Sequence, residues 1–357
     1  MDKKKLSILI VVLVAVLGIG GYILAGSLGD SKPVEESKPV EKVEEPKIVY
    51  TNPLTGEESE KEYPARPLVV SIDNVGDAIP QSWLSKADLV YEFPVEGNQS
   101  RLQAIYYGEF PEEFGPIRST RPYFVDLTRE YKGIFLAHGW SPAAKEYLMS
   151  DVVPYINAMN SDCSFYRVDD KYAPHNSYIK WSEVKEEIEE EGWWDEKQEI
   201  RPFKFLKKGK ESAGKPATYI EINYPASPCE YTYDAEKNRY IRTIFGGTKY
   251  IDKETGYSVK TKNVLVQYVS SYAYDYKGRL EIDMCAGGEA MLFTGGKVIK
   301  GTWSRDNLDA RTIFVDEEGN EFKLTVGSTW VEVVDQNCTV YYDGPEEESS
   351  EDDSDSE

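Results

Sequence analysis

The chain has 357 residues, 40% of them apolar and 13% aromatic, which excludes a disordered chain, a collagen and a coiled coil and leaves room for one large or two ordinary domains. Lysines and arginines number 41 against 63 aspartates and glutamates, a formal net charge of −22, so no nucleic acid is expected as a partner. Much of this charge lies in the flanks: Pro345 to Glu357 hold eight acids and no base, and Asp30 to Glu62 hold ten acids against five bases.

Lys3, Lys4 and Lys5 precede an uncharged run from Leu6 to Leu28. As a helix it would span about 34 Å, enough to cross a bilayer core of about 30 Å. The basic cluster holds that end in the cytoplasm and directs everything from Asp30 outward. Residues 1–28 are therefore expected to be a transmembrane signal anchor in the cytoplasmic membrane, with the body outside. The alternative is a signal peptide cleaved near Ala25-Gly26-Ser27, which leaves a secreted body. Residues 29–62 read as a linker, because Pro33, Pro39 and Pro46 interrupt any helix and the charges oppose collapse. Residues 345–357 offer nothing to bury and read as a solvated acidic tail. Cys163, Cys229, Cys285 and Cys338 match no zinc or redox spacing; they are either disulfide partners in an oxidising compartment or small buried hydrophobes.

Along the body, PLVVSIDN reads as a buried strand and PQSWLSKA as a short helix opened by Pro80. DLVYEF and SRLQAIYYGEF read as strands joined by a turn near Gly97. TRPYFVDLTREYKG is expected to be a helix capped by Thr120, GIFLAH a strand, and AAKEYLM a helix behind Ser141-Pro142. WSEVKEEIEEEG completes the first part as a solvent-facing helix stopped by Gly192. From Ala217 to Val334 short alternating stretches follow one another, with turns at Gly295-Gly296 and at Asp316 to Asn320. The expected class is α+β, a mixed α/β domain over 63–210 followed by a mostly antiparallel β domain over 211–344.

Polar chemistry concentrates between Asp73 and Asn176. Asp73 and Asn74 close the first strand, and Glu92 and Glu96 flank the Phe-Pro break of the next. Such carboxylates suit an acid/base pair for glycoside cleavage or a hard-cation site, or they cap amides and pair with Arg101. Arg118 and Arg121 stand at a helix start beside Ser119 and Thr120, a good setting for a carboxylate or phosphate, although arginines in an acidic domain also serve plain ion pairs. With only His138 and His175 in the chain, a three-histidine metal site is excluded. No metal or cofactor is assigned. His175-Asn176 on a proline-braced loop is the better ligand or catalytic pair. Gly139-x-Ser141 imitates a nucleophile elbow but ends in Ala143, and an N-cap role accounts for Ser141.

The stretches RPLVVSIDN, LSKADLVYEFPVEG, GPIRSTRPYFVD, GWSPAA and KYAPHN, and later TKNVLVQYV, GGEAMLFTGGKVIKGTWSRD and LTVGSTWVEVV, resemble the YerB-type bacterial lipoproteins, a two-domain family of unknown function. The resemblance implies a membrane-anchored envelope protein. The residues that carry it include Asp73, Asn74, Glu92, Glu96, Arg101, Arg118, Arg121, Asp126, His175 and Asn176. No cysteine precedes Cys163, so this chain lacks the lipidation site of the family pattern.

The reading that results is an extracytoplasmic protein that binds or hydrolyses cell-wall material through an acidic and arginine-lined cleft. Asp73, Glu92, Glu96 and His175 are the candidate catalytic groups; Asn74, Arg101, Arg118, Arg121, Asp126 and Asn176 are the candidate ligand contacts. The alternative is a non-catalytic scaffold that recruits another envelope protein through the C-terminal sheet.

Overall fold

The computed structural model describes residues 48–244 and 246–343. The expected anchor at 1–28, most of the expected linker and the acidic tail lie outside them. Among the described residues no helix is long and apolar enough to cross a membrane. The folded body takes in residues from Ile48: Tyr50–Thr51 pairs with Glu58–Ser59, and Leu54 is buried between them in sequence.

Continuous apolar runs make strands buried on both faces. LVVSID forms β1 (Leu68–Asp73), LVYEFP forms β2 (Leu89–Pro94), and β3 (Ser100–Tyr106) lies between them, antiparallel to both. β4 (Ile134–Ala137) and β5 (Tyr155–Asn157) continue outward from β1 in parallel. The second half of the chain supplies β6 (Lys215–Pro216), β7 (Tyr219–Asn223), β8 (Cys229–Asp234), β9 (Arg239–Ile244), β10 (Asn263–Tyr268), β11 (Gly288–Thr294), β12 (Lys297–Ser304), β13 (Ile313–Asp316), β14 (Thr329–Val334) and β15 (Thr339–Tyr342).

Eleven strands form one sheet in the order β6-β12-β11-β10-β14-β2-β3-β1-β4-β5, with β13 paired to β12. β14 is the seam. It runs parallel to β10 on one side and to β2 on the other, so the sheet passes without a break from the second half of the chain to the first. A six-stranded sheet built on β9-β8-β7-β15 packs on one face, where Ile220, Ile222 and Tyr231 join Val90, Leu102 and Val266 in one core. On the other face α1 (Pro122–Glu130) adds Phe124 and Leu127 to Tyr91, Phe93, Val331 and Val333. α2 (Pro142–Leu148) and α3 (Trp181–Glu190) are the other α-helices among the described residues.

The expected α+β class is therefore corrected: the protein is mostly β. The three longer helical segments do form, but each is only seven to ten residues long. PQSWLSKA yields only a 3-10 turn at Leu84–Lys86. The strands of the first part complete a sheet whose other strands lie in the second, a pairing that local periodicity does not reveal.

Candidate functional site

The topology gathers polar groups along one edge of the large sheet. The carboxyl ends of the parallel strands β1, β4, β2, β14 and β10 all point to this edge, and the amino end of β3 meets them there, with Pro94 opposite Ser100 and Asp73 opposite Arg101. In open sheets such ends are where loops converge on ligands. Most of the residues singled out in the sequence lie along it.

Asp73 is buried, and its Oδ2 lies 3.0 Å from Arg118 Nε and 2.7 Å from His175 Nδ1. Glu96, on the turn after β2, holds Arg121: Arg121 Nε donates to Oε2 at 3.0 Å and Nη2 to Oε1. Burial alone would raise the Glu96 carboxyl, but the paired hydrogen bonds from Arg121 outweigh it and hold the group below the usual range. Arg101 is different. It is 4% exposed, donates only to Ser119, at 2.8 Å to its carbonyl and 3.4 Å to its hydroxyl, and its Nε has no partner among the described residues. Burial and then the neighbouring Arg121 pull its guanidinium down to about 10. Three guanidinium groups thus share two carboxylates. A cavity of about 270 Å³ opens beside Glu96, outside the ends of β2, β14 and β10, with Ser271, Asp335 and Asn337 on its wall.

Glu92 does not join this group. Register places it opposite Leu102 and Glu332, on the face turned to the smaller sheet, while Asp73, Arg101 and Phe93 share the other face. It is fully buried. Arg242 Nη2 donates to Glu92 Oε2 at 2.6 Å and Arg242 Nη1 to Glu332 Oε1 at 2.8 Å. The guanidinium sits 4.5 Å from the Trp330 ring centre and 5.0 Å from that of Tyr250. Asn74, another predicted ligand contact, also faces here and donates to Glu92 Oε1 at 2.9 Å. Burial raises the Glu92 carboxyl to about 7, against the pull of Arg242 and with the push of Glu332. Glu92, Cys229 and Glu332 could together ligate a cation by distance alone, but the Arg242 guanidinium already serves both carboxylates.

Asp126, on α1, stands apart: it accepts from Tyr147 Oη at 2.8 Å, and its carbonyl accepts from Arg305. Asn176 ties its own loop, donating to Val168 O at 3.0 Å and Lys171 O at 3.1 Å, and so holds His175 against Asp73. Ser141 Oγ accepts from Ala144 N–H at 3.2 Å as the N-cap of α2, the role expected for it. Sequence reasoning missed Arg242 and Glu332. The available signal was the alternation Tyr240-x-Arg242-x-Ile244, which puts an arginine on the inward face of a strand.

These features define a β protein built on two principal sheets, with an arginine-rich sheet edge whose acidic groups are already ion-paired. The chain belongs to the family described as protein of unknown function (DUF3048), whose N-terminal domain matches residues 54–194 and whose C-terminal domain matches residues 220–331. It is 37% identical over 291 residues to YerB of Bacillus subtilis (strain 168), covering 79% of this chain and 85% of the relative. The crystal structure of the YerB protein from Bacillus subtilis is similar to it with a TM-score of 0.73 at 34% identity, across 82% of this chain and 99% of that one. The resemblance read from the sequence is borne out.

Proposed function

We propose that this protein works outside the cytoplasmic membrane and binds an anionic group of cell-wall material at Arg101, Arg118 and Arg121. The observation that carries the reading is Arg101: a buried guanidinium with an unpartnered Nε and no ion pair among the described residues, beside two further arginines. Buried charge is normally paired, and a carboxylate or phosphate at this edge would supply the partner through charge-assisted hydrogen bonds. Binding is favoured over hydrolysis because Asp73 and Glu96 are held by arginines and Glu92 is enclosed on the opposite face. Glycoside cleavage needs two carboxyl groups available across a cleft, and each of these three already has an arginine partner.

The envelope address is supported by the designation of YerB as a lipoprotein. The first cysteine of this chain is Cys163, so the attachment proposed here is the apolar run Leu6 to Leu28. The test is equilibrium binding of the full chain to purified wall polymer, before and after its anionic substituents are removed. Arg101→Gln should weaken binding to the intact polymer at least tenfold, with no loss of thermal stability. Equal affinity for the stripped polymer, or for the variant, would refute the reading.

A further inference from the structure

Beyond the C-terminal end of α1 the chain buries more cationic than anionic charge. Arg305, Arg311 and Glu130 are all buried there, and Glu130 is already committed. It accepts from Thr312 N–H at 2.8 Å and from Thr312 Oγ1 at 3.0 Å, and Arg305 Nη1 lies 3.3 Å from its Oε2. The remaining nitrogens of Arg305 donate to the carbonyls of Asn307, Leu308, Ala310 and Asp126, so this arginine shapes the loop between β12 and β13. Arg311 is left over. It is 8% exposed; among the described residues its guanidinium makes one hydrogen bond, from Nη1 to Pro202 O at 3.4 Å, its Nε has no partner and it joins no ion pair. The Phe203 ring centre lies 3.6 Å from the guanidinium carbon. The ring attracts the charge but offers no acceptor in the plane of the N–H groups, and a buried charge is normally paired.

A cavity of about 240 Å³ opens here, with Arg311 on its wall beside Lys132, Glu199 and Asp306. The other charged groups of the wall are taken: Glu130 by Arg305, Asp309 by Arg129, and Arg201 by Glu321. Two cations and two carboxylates without ion pairs among the described residues therefore surround one small space. A plain anion would be attracted by Arg311 and Lys132 and repelled by Glu199 and Asp306. A solute with one charge of each sign satisfies both sets. The cavity is also smaller than the roughly 300–1,000 Å³ of pockets for drug-sized ligands, which suits a single small molecule rather than a polymer.

We propose that this cavity binds a small α-amino acid as its zwitterion. The carboxylate takes free N–H groups of Arg311 in charge-assisted hydrogen bonds, and Glu199 and Asp306 meet the ammonium. The site is separate from the arginine edge, since Arg121 stands at the opposite, N-terminal end of α1.

The probe is alanine, titrated calorimetrically into the full chain. Saturable one-to-one binding is expected, with acetate, ethylamine and inorganic phosphate each at least tenfold weaker. Arg311→Gln should weaken alanine binding at least tenfold, and so should Glu199→Gln combined with Asp306→Asn, whereas Arg101→Gln should leave it unchanged. Glu199 and Asp306 are exposed, so if Arg311→Gln unfolds, the paired acid variant and the acetate comparison decide. Absence of alanine binding, acetate or phosphate binding as tightly as alanine, full affinity in the paired acid variant, or loss of affinity in Arg101→Gln would each overturn the proposal.

Discussion

Arg242 has charge partners on both halves of the chain. It bonds Glu92 from β2 and Glu332 from β14, inside a ring of Tyr231, Tyr250 and Trp330. Truncating one member of a buried ionic group leaves the others uncompensated, at a cost of about 3–5 kcal/mol. Arg242→Met should therefore lower the unfolding free energy by roughly that amount in urea titrations. Adding Glu92→Gln and Glu332→Gln to it should recover much of the loss, since two facing carboxylates are then removed. A small effect of Arg242→Met alone would mean that water reaches the group. The contrast with Arg101 is instructive: that residue is buried too, yet among the described residues no carboxylate lies within ion-pair distance of it, although Asp73 and Glu96 act on it from farther off, and this is why it is assigned to a ligand rather than to the fold.

At the level of elements, short connections place the chemistry that the strands only point toward. The loop after Tyr166–Arg167 returns to Ser177–Lys180, and Asn176 fastens it with two donated hydrogen bonds and one accepted from Arg167 Nη1 at 2.7 Å. Asn176→Ala removes all three. The expected result is a loss of about 1–3 kcal/mol, with faster amide exchange confined to residues 168–176 and the sheet unaffected. Unchanged exchange in that loop would show that the Asp73–His175 contact positions it instead. α1 illustrates how a near miss arises: Thr120 was the expected cap, whereas Arg121 occupies that position and Thr120 Oγ1 donates to the Arg121 carbonyl. Both residues precede Pro122, and only the backbone path decides between them.

For the whole molecule, buried carboxyl groups couple stability to pH. Burial raises Glu92 to about 7 and Asp88 to about 6, the latter despite hydrogen bonds from Tyr107 N–H, Gly108 N–H and Asn52. The native state then holds protons that the unfolded chain has already released. Stability from these groups is fully present below the unfolded values near 4 and is lost as pH rises through the folded ones. The unfolding free energy should accordingly fall between about pH 4 and 7, by an amount on the order of 1 kcal/mol or more. Glu92→Gln should flatten the upper part of this slope and leave the part near pH 6. An identical slope in the variant would place the titration elsewhere.

The sequence by itself determined the charge distribution, most strands and three helices, because apolar periodicity, proline and capping residues act over a few neighbours. It also located the polar strand ends, since Asp73, Glu96, Arg118 and Arg121 stand where apolar runs stop. Only the tertiary structure decided which face each residue occupies and whom it meets. Glu92 and Asp73 looked like partners in the sequence, but strand register separates them by the thickness of the sheet, and Glu92 bonds an arginine 150 positions away. The balance between α and β was decided in the same way: β14, near the end of the chain, fits in parallel beside β2, near its beginning. Such pairings depend on the closure of long loops and on shared burial, and neither leaves a mark in any short window of residues.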